Sequence, residues 1–281
     1  MIKVLSLRYG VAFQKAFSDP EVFTAFVKDV LGLELEIDRV EVEKSFMPSV
    51  GHVKPRFDLF AEDHKNRVIV DIQHVRDPDY YDRFLYYHCA ALMQQVAHYE
   101  DYVPRLKVYT LVVLTSSDKH QRDVLTLDMR PRDLDGVPVD ELNHKIIYFC
   151  PKHINDKTPV SYRLWMQAIN DSLDGEIEEA DYEPPVFHKL FTHIRRQELS
   201  PEELSRVMDE RSRERQFDTG HEIGLDEGLE QGLEQGAWQA TRDMAQQLRR
   251  EGLSEELILK VTGLSVTELR SLPDAPTDSA E

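Results

Sequence analysis

Only two cysteines, Cys89 and Cys150, occur among the 281 residues. No Cys-x-x-Cys spacing is present. That removes a zinc ribbon, a thioredoxin-like redox motif and a disulfide framework, and leaves buried reduced thiols as the expectation. Long apolar runs are missing too. No stretch of about 18 or more apolar residues is available to span a bilayer. The opening Met1-Ile-Lys-Val-Leu-Ser-Leu-Arg is interrupted too early for a secretory signal. A cytoplasmic protein with no membrane span is expected. No glycine-rich segment ends in Lys-Ser or Lys-Thr, so no nucleotide cofactor is implied. Positive charge is scarce: 34 Lys+Arg stand against 52 Asp+Glu, a net charge of −18. This argues against nonspecific nucleic-acid binding by the whole surface. The deficit is uneven, with residues 1–173 at net −4 and residues 174–281 at net −14.

What is present concentrates in residues 54–75. The runs Arg56–Glu62 and Arg67–Val75, rich in β-branched, aromatic and aliphatic residues, flank the polar cluster Asp63-His64-Lys65-Asn66. This predicts a β-hairpin with a four-residue loop. Pairing symmetric about the loop sets Glu62 opposite Arg67. One face then pairs Phe57 with Ile72, Leu59 with Val70 and Ala61 with Val68, and belongs against a core. The other sets Asp58 opposite Asp71 and Phe60 opposite Ile69, with Gln73 diagonal to Asp58. Opposed Cβ atoms on such a face are about 5 Å apart, so the two carboxylates repel unless a cation lies between them. Oxygen ligands at that separation suit a hard divalent ion, Mg²⁺ (or Mn²⁺), which polarises a phosphoryl oxygen and lowers the pKa of a bound water. By spacing alone the pattern is also that of a short strand with a solvated acidic face, the commoner situation. Lys54, Arg56, Arg67, Arg76 and Arg83 are expected to form a basic rim around the hairpin.

Along the rest of the chain, Ala12–Phe17 reads as a short helix and Ser18-Asp-Pro-Glu opens a longer one. Ser18 and Glu21 have capping-box spacing, Phe23, Phe26, Val27, Val30 and Leu31 share a face, and Gly32 ends the helix. Leu33–Lys44 alternates like a strand, and Met47–Val53 reads as a loop. Asp77-Pro78 starts a helix of roughly 25 residues, which puts Arg83 and Tyr87 on one face. His88 and His98 match no metal-ligand spacing. Leu106–Thr115 reads as a strand buried on both faces. Residues 116–142 read as a long loop with a short strand near Asp123–Leu127, His144–Phe149 as a strand and Tyr162–Leu173 as a helix. The alternation predicts an α/β fold, a mixed sheet of about five strands with helices on both sides, in a domain over residues 1–173.

The acidic Gly175–Pro185 segment marks the end of that domain. Helices Phe187–Glu198 and Pro201–Gln216, the second with a Ser200–Glu203 capping box, form a helical linker region over 174–218. Gly220, Gly224, Gly228, Gly232 and Gly236 then recur every four residues, together with Leu225, Leu229 and Leu233. Each glycine costs a helix about 1 kcal/mol relative to alanine. The stripe is either a seam for helix–helix self-association, giving a homo-oligomer, or a solvated connector. Leu248–Leu272 has the spacing of a small helix-turn-helix, with Leu257, Ile258 and Val261 on its first helix and no basic stripe. The all-α tail spans 219–272, and residues 273–281 are expected to be disordered.

Asp58, then a dozen residues, then Asp71-Ile72-Gln73 resembles the active-site pattern of the PD-(D/E)XK nuclease superfamily. More specifically it resembles the recombination-promoting (Rpn) nucleases, a transposase-like group in which Gln stands where most of the superfamily has Lys. The run Asp82-Arg83-Phe84-Leu85-Tyr86-Tyr87 is similar to that group's Arg-x-x-x-Tyr helix. Phe13-Gln14-Lys15-Ala16-Phe17, followed by Asp19-Pro20-Glu21, is similar to its N-terminal segment. Two positions depart from the pattern: Phe57 stands where Pro is usual, and Asp71 where Glu is commoner. The resemblance implies a restriction-endonuclease-like core and a metal-dependent DNA endonuclease that hydrolyses phosphodiester bonds, linked to recombination or mobile elements. It implies Asp58 and Asp71 as ligands of Mg²⁺ (or Mn²⁺), with the main-chain carbonyl of Ile72 as a third. Gln73 would orient the attacking water, Arg83 would clamp a phosphate oxygen, and Glu21 is a candidate for an assisting acid on the first core helix. Two other readings stand beside it: a catalytically inactive nuclease-fold assembly protein, and a DNA-binding regulator acting through the C-terminal helices.

Overall fold

The computed structural model describes residues 1–46, 53–74, 80–96, 104–116, 119–139 and 142–272. Arg76, the helix start at Asp77-Pro78, His98, most of the Met47–Val53 loop and the tail expected to be disordered lie outside these residues. The chain divides into two compact units, Met1–Arg211 and Ser212–Glu281.

In the first unit the elements run β1 (Ile2–Lys3), α1 (Gly10–Phe17), α2 (Pro20–Leu31), β2 (Glu41–Ser45), β3 (Arg56–Glu62), β4 (Asn66–Gln73) and α3 (Tyr80–Met93). They continue with β5 (Lys107–Leu114), β6 (Val124–Asp128), β7 (Lys145–Phe149), α4 (Val160–Ser172), β8 (Glu176–Ile177) and α5 (Pro185–Ile194). Helix α6 (Pro201–Arg250) starts in this unit, and the division falls within it.

The sheet is mixed and six-stranded, in the order β2-β3-β4-β5-β7-β6. β5 is parallel to both β4 and β7. A strand with parallel neighbours on both sides has helices over both faces, which is why Lys-Val-Tyr-Thr-Leu-Val-Val-Leu is buried at every position after the first. On one face Leu59, Ala61, Val68, Val70, Leu111, Val113, Ile147 and Phe149 join a core with Phe13, Phe17, Phe23, Phe26, Trp165, Phe187 and Leu190 of the flanking helices. On the other face Val112, Ile146 and Tyr148 pack on Phe84, and Phe60, Ile69 and Val108 pack on Ala91, both residues of α3. Both cysteines are free thiols; Cys150 is buried and Cys89 half-buried.

Several expectations are corrected. Leu33–Lys44 is a strand only from Glu41 onward; Leu33, Leu35 and Ile37 alternate because extended coil also turns every second side chain inward to the core, which Val40 joins out of step. The α2 cap is Asp19, whose carboxylate accepts the Glu21 and Val22 amides, while the Ser18 hydroxyl donates to the Lys15 carbonyl. α3 ends at Met93, well before Pro104. Residues 174–194, read as linker, supply Ile177, Tyr182, Phe187, Leu190, Phe191 and Ile194 to the same core. The first unit reaches into α6, where Glu210 accepts the Gly10 amide at 2.8 Å and Glu203 pairs with Lys15 at 2.9 Å.

α6 does not stop at Gln216 but runs on through the glycine repeat. In the second unit α7 (Glu255–Thr262) and α8 (Val266–Ser271) close a small core of Ala245, Ile258, Leu269 and Leu272. Gly263 caps α7 at φ 72, in the left-handed region open to glycine. Of the apolar residues of α7, Leu257 and Val261 are exposed and Ile258 turns toward Leu269.

His88 of α3 is fully buried, 2.9 Å from the Thr110 hydroxyl, and its ring lies 6.4 Å from that of His144. Burial, reinforced by His144, depresses its pKa to about 3. The folded state therefore binds fewer protons than the unfolded chain between the ordinary histidine value and that level. Stability held above the ordinary value falls as pH drops through this window, by up to about 1.4 kcal/mol per pH unit. His88→Gln should flatten the acid limb of a melting-temperature profile against pH. An unchanged limb would contradict this.

Candidate active site

The hairpin is set by its turn. The Asp63 carboxylate accepts the Lys65 and Asn66 amides, each at 2.7 Å. Pairing then runs Glu62 with Arg67, Ala61 with Val68, Phe60 with Ile69 and Leu59 with Val70, the register that symmetry about the loop requires. One step further the backbone ladder stops and two carboxylates replace it. The Asp58 amide donates to Asp71 Oδ1 at 2.9 Å, and the Ile72 amide donates to Asp58 Oδ2 at 3.0 Å. Each acid is thus braced by the other strand's backbone. β3 is interrupted on its other side as well: β2 pairs with it at Val42 and Lys44 but not at the intervening Glu43, which sits at φ 54. Phe57, expected to cover Ile72, swings onto Phe46, Phe60 and Tyr87, because the ladder that would have held it in register has ended.

A third side chain enters from the opposite layer. Gln14 of α1 donates from Nε2 to Asp58 Oδ1 at 3.2 Å. It was missed in the sequence, although Gln14 stands directly beside Phe13 in the mostly apolar Gly-Val-Ala-Phe-Gln-Lys-Ala-Phe helix, where a polar residue on the core side is a signal. Glu21 does not take part; its carboxylate is bonded to Lys189 at 2.6 Å on an exposed surface.

Burial raises the Asp58 carboxyl above its ordinary range, against the Ile72 amide and Gln14, which favour the anion. Burial raises Asp71 further, and the neighbouring Asp58 charge adds to it. Asp71 is 3 % exposed, and its Oδ2 is buried with no hydrogen-bond partner among the described residues. An orphaned buried carboxylate oxygen beside a second acid calls for either a proton or a cation. The Gln73 carbonyl faces β5, where it accepts the Thr115 amide at 3.0 Å. By alternation the Ile72 carbonyl is turned the other way, toward β3 and Asp58. Two carboxylates and a main-chain oxygen form a hard donor set that fits a divalent cation of the Mg²⁺ or Mn²⁺ type. No cluster of three or more His, Cys, Asp or Glu side chains is found among the described residues.

Arg83 donates from Nη1 to Gln73 Oε1 at 3.3 Å, and its guanidinium lies 5.4 Å from the Tyr87 ring centroid. It therefore packs on Tyr87 and also reaches the site. Its charge acts on both acids, favouring their ionised forms. The hairpin rim is thinner than expected. Arg67 is buried, bonded to Glu62, the Ala91 carbonyl and Gln94, and Arg56 pairs with Glu43. Lys54 is exposed.

Gln14→Leu removes a bond that favours the Asp58 anion. The midpoint of Mn²⁺ binding against pH should therefore move to higher pH in that variant. An unmoved midpoint would show that Gln14 does not act on the pair.

The model of the family described as PD-(D/E)XK nuclease family transposase matches residues 11–224, a span that contains every residue of this site. No curated protein and no solved structure matches the chain.

Proposed function

Because the chain belongs to the PD-(D/E)XK nuclease family transposases, we propose that it is a Mg²⁺- or Mn²⁺-dependent DNA endonuclease that hydrolyses phosphodiester bonds in recombination or at mobile elements. The observation that carries this reading is the cross-braced pair Asp58 and Asp71, buried against each other with one carboxylate oxygen orphaned. At neutral pH such a pair costs the fold stability unless it keeps a proton or takes a cation, and the hard donor set beside it favours the cation.

A bound divalent cation supplies Lewis-acid polarisation of the phosphoryl oxygen and a water of lowered pKa. The chain's own residues do the rest. Asp58, Asp71 and the Ile72 carbonyl would hold the ion. Gln73 carries no charge and orients the attacking water by hydrogen bonds. Arg83, bonded to Gln73, would meet charge that develops on the phosphate. Two free thiols and the absence, among the described residues, of any helix long and apolar enough to cross a membrane suit the cytoplasmic setting we propose with it.

Supercoiled plasmid incubated with Mg²⁺, Mn²⁺ or EDTA tests the reading. Nicking is expected only with metal, and Asp71→Ala should lose it. Equal nicking by both proteins, or none by either, would overturn it; the second outcome would favour an assembly role.

We also assign self-association to the tail. Leu225, Leu229 and Leu233 of α6 are 65 %, 63 % and 66 % exposed, and a Cβ built on any of the five repeat glycines meets nothing within 4 Å. Ridges at a four-residue step pack into a second helix at about −50°. Leu229→Glu should shift the full chain to a smaller species in light scattering, and an unchanged mass would contradict the assignment.

A further inference from the structure

Outside the carboxylate pair, the sheet edge that carries it holds a basic segment with no assigned role. Gln73 at the end of β4 is in register with Leu114 of β5, and Val113 of β5 with Phe149 of β7. The C-terminal ends of these three parallel strands thus form one edge. The Lys119-His120-Gln121-Arg122 loop returns along it, and the Asp123 carbonyl accepts the Cys150 amide at 2.8 Å, so Arg122 and Lys152 flank the same edge. Lys119, Arg122 and Lys152 are exposed, and Arg122 and Lys152 form no ion pair among the described residues.

Three features fix this loop in place. Lys119 Nζ lies 5.3 Å from the Tyr81 ring centroid, and Tyr81 packs on Tyr148, which fastens the loop to α3, the helix of Arg83. Gln121 takes φ 53, a left-handed turn at a non-glycine residue. Asp123, which follows the loop and stays ionised, is tied to the Thr158 hydroxyl at 2.5 Å. Asp118 and Asp123 bracket Lys119–Arg122 in the sequence, so what sets this edge apart in a protein of net charge −18 is that Lys119, Arg122 and Lys152 are all exposed along it.

We infer that Lys119, Arg122 and Lys152 form the phosphate-tracking rim that holds a DNA strand across Asp58 and Asp71. From β4 to β7 are two interstrand steps of about 4.8 Å, roughly three nucleotides at about 3.4 Å each. The rim therefore meets phosphates beside the scissile one. This inference rests on the nuclease reading for its substrate but not for its test.

The test is fluorescence anisotropy of a labelled DNA duplex with the full chain in EDTA, over a range of salt. Lys119→Gln with Arg122→Gln is compared with Lys65→Gln with Lys107→Gln, which removes equal charge at the opposite edge of the sheet. The rim pair is expected to weaken binding about tenfold and to lower the slope of log K against log salt by about 1.8, at about 0.9 per phosphate contact. The opposite-edge pair should leave both nearly unchanged. Equal loss in both pairs, or no loss in the rim pair, overturns the rim while leaving the nuclease reading intact. No DNA binding by the wild type overturns both. Rim-dependent binding without cleavage in any metal leaves the rim standing and removes the nuclease.

Discussion

Asp71→Asn is expected to melt higher than the wild type in metal-free buffer at neutral pH, although it alters a proposed catalytic residue. Asp71 is buried, its carboxyl is raised well above the ordinary range by desolvation and by Asp58, and Oδ2 has no partner among the described residues. A raised carboxyl binds more protons in the folded state than in the unfolded chain. Its contribution is therefore full below the ordinary carboxylate range and is lost as pH rises through the raised value. Asparagine keeps an oxygen for the Asp58 amide and does not ionise, so it escapes that loss. The gain should be on the order of 1–2 kcal/mol, about 2–8 °C in a domain of this size, and should widen as pH increases. With Mg²⁺ the order should narrow or reverse, because only the wild type gains from binding the ion. A variant less stable than wild type at every pH, with an unaltered response to Mg²⁺, would show that the pair is structural.

The second large effect is on rate. Asp58→Ala and Asp71→Ala should each lower metal-dependent nicking on the order of 10³-fold, the several kcal/mol that a metal supplies to the charge of the transition state. The double variant should be little worse than either single one, since the two acids act as a unit and losing one already empties the site. Single-turnover rates at saturating DNA measure this. Multiplying effects would contradict a shared ion and point to separate roles.

The hairpin was legible because its information is local. Turn chemistry at Asp63 and the period of two in the flanking strands fix the register, and register places Asp58 across from Asp71. The sheet core was legible for the same reason, since runs such as Lys107–Leu114 have one stable setting. What was hidden is non-local. Gln14 reaches Asp58 from 44 positions away, and no spacing rule links a helix residue to a strand that far along the chain. The end of the ladder at Leu59–Val70 was also unreadable, because it depends on carboxylates replacing backbone partners rather than on propensity. Arg67 looked like rim and is core, since only the fold shows that the Ala91 carbonyl and Gln94 await it. The domain end was set too early because the acidic stretch before Pro184 hides Ile177 and Tyr182, which pack inward while their neighbours stay in solvent.

The most direct measurement is calorimetric titration of Mn²⁺ into the full chain and into Asp71→Asn, in two buffers of different ionisation enthalpy. If the opposed acids hold a cation, the wild type takes up the ion with release of protons from the raised carboxyls, more tightly at higher pH, and the variant does not. Absence of binding by the wild type, or equal binding and proton release by both proteins, would contradict a metal at Asp58 and Asp71.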